Sequence, residues 1–355
     1  MKIQNAILLI TFIALLGCEQ QLASRLGRDI GTNDKNPISG DYIGETLPDS
    51  TPLVFASGII SDGLNNRDIT ITPDGNEIYF VSNTSNYSYA AILVVKRQNN
   101  IWSEPQVVPF GANTNYISIE PCLSYDGNTL FYASDKPMDD SSKKDDMNIW
   151  KVERNGNSWG DPILLDSIIN TNQSEYYPSL TKNGTLYFTR EAENRINFIY
   201  RSKFENGIFT TPEKLPTQVN CGRNRFNAYI SPDESFIIIP AIGVEKYVTG
   251  TNYYISFRNN DDIWCEPMNM GGKINKDLGR GWSASLSHDG SYLFFMSSKG
   301  MNTDDHPKRL TYEFFEKLQT QPQNGNSDIY WVKSDFINEL RPLAVYDSDK
   351  YGINP

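Results

Sequence analysis

Histidine is almost missing from this 355-residue sequence: there are two, His288 and His306. That shortage excludes a metal centre built on several convergent imidazoles, as some metal-dependent lyases need. Positive charge is also in deficit, with 32 Lys and Arg against 43 Asp and Glu, a formal charge of −11. Nucleic-acid binding rests on basic patches that neutralise phosphates, so that class of partner is excluded. No block of five or more like charges occurs, and no polyelectrolyte tail is implied. Long apolar runs are absent beyond the first 20 residues. The one that exists, from Ile7 to Leu16, is too short for a comfortable membrane span.

That run reads as an address. "MKIQNAILLITFIALLGCEQ" places Lys2 before a short apolar core, the pattern of a secretory signal. Its ending resembles the bacterial lipobox, with Leu15 and Gly17 before Cys18. The resemblance implies lipidation of Cys18, which becomes the first residue of an exported, membrane-anchored chain. Several acyl chains, at about 0.8 kcal/mol per buried CH₂, make a stable anchor. Glu19 rather than aspartate follows; in enterobacterial lipoproteins that implies the outer membrane, facing periplasm or cell surface.

What the chain has in abundance is self-similarity. "DITITPDGNEIYFVSN" from Asp68, "EPCLSYDGNTLFYASD" from Glu120, "YPSLTKNGTLYFTRE" from Tyr177, "NAYISPDESFIIIPA" from Asn227 and "SASLSHDGSYLFFMSS" from Ser283 share one frame. Anchored on Asp74, Asp126, Asn183, Asp233 and Asp289, the spacings are 52, 57, 50 and 56 by subtraction. A period of this size marks a repeat architecture. His288 occupies the slot of Pro73, Tyr125, Lys182 and Pro232, so it reads as turn filler.

Each repeat has the same internal order. A strand enters an Asp-Gly-type turn and returns as a second strand. After a variable loop comes a short apolar strand, as in "AILVVK", "NIWKVE", "FIYRSK", "YYISFR" and "DIYWVK". A fourth strand then opens with an aromatic and a proline three residues on: Trp102/Pro105, Trp159/Pro162, Phe209/Pro212 and Trp264/Pro267. Proline there suits an outer, unpaired edge. Four antiparallel strands repeated radially make a β-propeller blade. The fifth repeat lacks its own fourth strand, while "TPLVFASGIIS" at Thr51 has no partner. The economical solution is that this N-terminal segment closes the ring, leaving no open edge. The expectation is an all-β, five-bladed propeller over residues 51–345, after a signal at 1–18 and a polar tether at 19–50, with a tail at 346–355.

The turn units, the "DIY" strand and the "W-x-x-P" strand resemble the WD40-like β-propeller repeat family, related to the TolB propeller, from about Thr51 to Pro342. The resemblance is specific for fold and weak for function. Propellers of the TolB type usually have six blades; a degenerate sixth is the alternative here. In the five-blade layout Cys122, Cys221 and Cys265 lie too far apart for the Cα separation of roughly 4.4–6.8 Å that a disulfide tolerates, and no disulfide is expected.

Binding residues belong where loops vary over a repeated scaffold. The loops leading into the inner strands share one face, called here the inlet face, and are rich in Asn with Arg67, Arg225 and Arg280. Four residues before the Ser or Thr of each turn stand Asp68, Glu120, Tyr177, Asn227 and Ser283. Strand alternation puts all five on one side of their strands, forming a polar ring near the axis. Tyr176 and Trp282 beside it, with Phe226, offer surfaces that stack on a sugar or peptide. Two functions fit. One is a binding module for an envelope protein, peptide or glycan. The other is a polysaccharide hydrolase or lyase using Asp68 and Glu120, if their carboxyls reach the separation of about 5–10 Å used by glycosidases. No cofactor or metal is implied. "GWSAS" at Gly281 imitates a nucleophile elbow without the strand–turn–helix context, and "DDSSKKDD" at Asp139 lacks EF-hand spacing. The insertion in the last repeat puts Leu310, Phe314 and Leu318 at helical spacing, an amphipathic helix expected over the inlet face.

Overall fold

The computed structural model describes residues 37–137, 146–246, 248–302 and 305–346; Cys18 and most of "DDSSKKDD" lie outside them. The propeller unit begins at Ser39. Five antiparallel sheets follow one another, each with its inner strand first in sequence, except for the last, which borrows its outer strand from the N-terminus. The fold is a five-bladed β-propeller.

Blade one runs through Asn65–Ile71, Glu77–Asn83, Ala90–Gln98 and a split outer strand, Ile101–Trp102 and Gln106–Val107. Blade two repeats this with Ser118–Leu123, Thr129–Ser134, Asn148–Asn155, then Ser158–Trp159 and Ile163–Leu164. Blade three has Glu175–Leu180, Leu186–Glu191, Asn197–Ser202 and Glu213–Lys214; blade four has Tyr229–Ile230, Phe236–Ile242, Thr251–Phe257 and Met268–Asn269. Pro105 and Pro162 fall at the breaks in the outer strands, where a residue without an N–H cannot continue the ladder. Blade five consists of Ala284–Leu286, Tyr292–Ser297, Asp328–Lys333 and Leu53–Val54, the last pairing Leu53 with Trp331 and Val54 with Tyr330. Ring closure is therefore as expected.

The core lies between blades. Tyr79, Ile92 and Val94 of blade one pack with Leu130, Tyr132 and Trp150 of blade two, and Ile238, Tyr253 and Ile255 of blade four with Leu293, Phe295 and Tyr330 of blade five. The strands are thus buried on both faces, which explains their near-continuous apolar runs.

The turns are held by one repeated device. Thr72 Oγ1 donates to Asp74 Oδ1 at 2.6 Å and accepts the Glu77 amide at 3.0 Å, while the Asn76 amide donates to Asp74. Ser124–Asp126, Ser231–Asp233 and Ser287–Asp289 repeat it. Burial opposes ionisation of Asp74, Asp233 and Asp289, but these hydrogen bonds outweigh it; at Asp126 the Ser124 hydroxyl is the largest influence, and all four carboxyls are held below their usual value. Blade four puts Glu234 at φ 58° where the four other blades have glycine. Its carboxylate is retained by the Tyr187 hydroxyl at 2.8 Å and by Arg258 at 3.2 Å.

Many inlet-loop asparagines have structural employment. Asn170 Oδ1 accepts the Ile149 amide at 2.8 Å, and its Nδ2 donates to the carbonyls of Ile149 and Leu165. Asn220 clasps Ile199 and Leu215 the same way, and Asn275 clasps Tyr253. In blade five Ser61 takes the part, accepting the Ile329 amide at 3.2 Å.

Residues 39–49, placed by composition in the polar tether, pack against the blade-one/blade-five seam. Tyr42 lies 5.3 Å from Trp331 and 5.4 Å from Tyr292 between ring centroids. Arg97 pairs with Asp41, Trp102 Nε1 donates to the Gly40 carbonyl, and the Lys333 amide donates to Asp49 O. The insertion of blade five carries a helix at Tyr312–Leu318, with Tyr312 and Phe315 exposed. Cys122, Cys221 and Cys265 are free thiols.

Candidate functional site

The inner strands do not alternate as simple pleats. The backbone turns left-handed at Asp68 (φ 55°), Glu120 (φ 60°), Tyr177 (φ 51°) and Asn227 (φ 49°), and the pairing register shifts there in blades one to three. Each is a β-bulge, which re-aims the chain and breaks the period of two. The expected single-sided alternation is corrected accordingly: at the axis these residues present amides as well as side chains.

The amides are what the polar side chains serve. Asp68 N donates to Ser283 Oγ at 3.2 Å, Tyr177 N to Glu120 Oε2 at 2.7 Å, and Asn227 N to Thr189 Oγ1 at 2.9 Å. Around the axis, the bulge of one blade is satisfied by its neighbour. Tyr177 then crosses the axis, its hydroxyl donating to Ala284 O at 2.9 Å and accepting the Ala284 amide at 3.2 Å. Tyr253 braces the same strand through its hydroxyl to Ser283 O at 2.8 Å.

Arg67 charges the layer. Its Nε lies 2.6 Å from Asp68 Oδ2 and its Nη2 2.9 Å from Glu120 Oε1, which also accepts Asn227 Nδ2 at 3.2 Å. Arg67, Asp68 and Glu120 are each 4% exposed. Burial pushes the Glu120 carboxyl up to about 7, against the pull of Arg67 and with the Asp68 charge adding to the rise. Burial also raises Asp68, with Arg67 opposing. One guanidinium thus faces two carboxyls in a closed layer, a low-dielectric setting in which both cannot ionise freely.

Towards the turn face the layer ends a narrow axial cavity of about 90 Å³, with Ile71, Leu123, Leu180 and Leu286 in its wall and Tyr125 and His288 at its mouth. Those two rings stand 4.4 Å apart, and His288 is a turn residue as its place in the repeat predicts. Towards the inlet face, Arg67 Nη1 donates to the Tyr87 hydroxyl at 2.8 Å and its guanidinium lies 5.6 Å from the Trp282 ring centre. Arg280 is exposed and lies 5.3 Å from the same ring. Tyr176, Phe226 and Trp282 are half-buried.

The sequence-derived candidates therefore divide. Asp68, Glu120, Tyr177, Asn227 and Ser283 come together, but as a buried layer. Arg225 is committed as well: its guanidinium donates to the carbonyls of Cys221, Asn197 and Gly222. Tyr176, Trp282 and Arg280 keep surface for a ligand. Tyr87 and Thr189 escaped sequence reading; the first sits in a variable loop and the second on a second strand, neither with a repeated signature. Among the described residues no group of three or more His, Cys, Asp or Glu is disposed to hold a metal.

No protein-family model matches the chain, and no curated protein matches it. Among solved structures it is similar to the protein described as TolB from Agrobacterium tumefaciens (15% identity, 76% of this chain and 90% of that one, TM-score 0.45). It is also similar to a GH43 endo-arabinanase from Bacillus licheniformis (15%, 76% and 94%, TM-score 0.45) and to an arabinanase from Bacillus subtilis (13%, 78% and 96%, TM-score 0.47). Likeness at this level transfers no activity, and the five sheets carry the fold assignment alone.

Proposed function

We propose that the protein is a binding module of the bacterial envelope, tethered to a membrane through lipidated Cys18 and engaging an envelope protein, peptide or glycan on its inlet face. One observation carries the non-catalytic reading: the buried carboxyl pair at the axis, Asp68 and Glu120, is bridged by Arg67, and Glu120 is further spent on the Tyr177 amide and Asn227. A hydrolase needs one carboxyl to reach a glycosidic oxygen and the other to reach the anomeric carbon or a water. Neither is accessible at 4% exposure. What a ligand can reach is Trp282 flanked by Arg280, with Tyr176 and Phe226 nearby, a combination of aromatic surface and charge suited to recognition.

The test sets turnover against binding. Envelope glycans are screened for both, and crosslinked cells are searched for proteins enriched over an unrelated lipoprotein. Binding or enrichment without turnover, reduced in Trp282→Ala and Arg280→Glu, supports the module. Glycan cleavage abolished by Glu120→Gln would replace it with the hydrolase.

A further inference from the structure

The ring-closure seam carries a second pair of carboxyls that the axial layer does not use. Blade one's leading loop is zipped onto the head of the third strand of blade five: Ile329 N donates to Ser61 Oγ at 3.2 Å, Asn66 N to Ser327 O at 2.7 Å, and Ser327 N to Asn65 Oδ1 at 3.2 Å. That zipper brings Asp62, next to Ser61, near enough to Asp328, next to Ile329, for its charge to act on the Asp328 carboxyl. Asp328 is 0% exposed. Its Oδ2 accepts the Gln323 amide at 2.6 Å, while its Oδ1 has no hydrogen-bond partner. Asp62 is partly exposed and accepts the Leu64 amide at 3.1 Å. No lysine, arginine or histidine among the described residues balances either carboxyl, and the Asp62 charge adds to the burial that raises Asp328.

An uncompensated carboxylate in the interior is costly unless paired, protonated or bound to a metal. We infer that Asp62 and Asp328 bind a divalent, oxygen-seeking cation, calcium by its chemistry, which pins blade one to blade five. The donors are carboxylate oxygens without sulfur or imidazole among them, the set that suits calcium rather than zinc or copper. Two carboxylates are few, so water completes the shell and affinity falls in the range of extracellular calcium modules, about 10⁻⁴–10⁻³ M. Asp62, at the surface, gives the ion a path in. The site also touches the insertion: Asn324 and Asn326 both donate to Gly63 O, at 2.9 and 2.8 Å. A Cβ on Gly63 would stand 2.6 Å from Gln319 O, so the loop carrying Asp62 can hardly shift without moving that segment.

Thermal melting of the full chain, stripped with a chelator and titrated with calcium or magnesium, tests this. Terbium luminescence sensitised by Tyr330 and Trp331 reads occupancy directly. Calcium is expected to raise the Tm by several degrees with half-saturation near the range given, and magnesium less. Asp328→Asn and Asp62→Asn should each abolish the shift and the luminescence. Asn148 and Asn252 stand at the equivalent strand position in blades two and four, so asparagine is compatible with the fold there; should Asp328→Asn fail to fold, Asp62→Asn decides. A Tm unmoved by millimolar calcium, or a shift surviving in the variants that fold, would overturn the proposal and leave Asp328 as a buried protonated acid.

Discussion

Glu120 Oε2 accepts the Tyr177 amide at 2.7 Å across the boundary between blades two and three. A side chain from one blade thereby satisfies a backbone group that the bulge of the next has turned away from its own sheet. The same carboxyl binds Arg67 and Asn227, so a single residue of blade two ties blades one, three and four to its own at the axis. Arg67→Ala would leave two carboxyls buried without a counter-charge. Breaking a buried pair in this way costs about 3–5 kcal/mol. The expected drop in the denaturant midpoint should be partly recovered in Arg67→Ala/Glu120→Gln, because the double variant buries one charge fewer.

Stability should fall as pH rises through neutrality. Glu120 has a folded value of about 7, above the roughly 4.3 of an unfolded chain. The fold therefore favours its protonated form. That contribution is complete below about pH 4.3 and is lost as pH rises towards 7. The turn aspartates have the opposite sign: held low, they stabilise above roughly pH 3.9 and fail as pH falls below it. Urea midpoints measured across this range should show a shallower decline above pH 4.3 for Glu120→Gln. An unchanged slope would mean that Glu120 is not the group responsible.

The asparagine clasps can be tested singly. Asn170→Ala orphans the Ile149 amide and the Leu165 carbonyl, while the Ile149 carbonyl keeps the Leu165 amide at 3.2 Å. Leaving a buried group unsatisfied costs about 1–3 kcal/mol. Hydrogen exchange at Ile149 should accelerate, whereas Ile199, clasped by Asn220, should keep its protection.

Tyr42→Ala should loosen the seam. Loss of a half-buried ring with several aromatic neighbours costs about 1–3 kcal/mol. Trp331 fluorescence should shift and residues 39–49 should become protease-sensitive, while circular dichroism of the sheets persists. Arg280→Glu, at an exposed position, should alter stability by no more than about 0.5 kcal/mol.

Blade number and ring closure were legible because the turn unit reports itself five times, from Asp74 to Asp289, and because the fifth repeat visibly lacks an outer strand. The bulges were not. Of Asp68, Glu120, Tyr177 and Asn227, only Asp68 and Asn227 are types that visit left-handed backbone with any frequency. Glu120 and Tyr177 are held there by cross-blade contacts, which no local pattern records. The polar ring was found at the right positions, but whether such residues face solvent or amides depends on backbone direction, and pleat counting mistook it. Tyr42 was hidden for a similar reason: its partners Tyr292 and Trp331 are about 250 and 290 residues away, and polar neighbours such as Asp41 and Gly40 disguise the segment as linker.

The pairing of Leu53 with Trp331 sets an order of events for the nascent chain. The strand that completes the circle leaves the ribosome before any blade exists and finds its partner only after nearly every other residue has been made. Until then blade five offers a bare edge to any extended peptide nearby, and two half-made copies could exchange these strands. Truncation after blade four would leave a chain whose first strand has nothing to join.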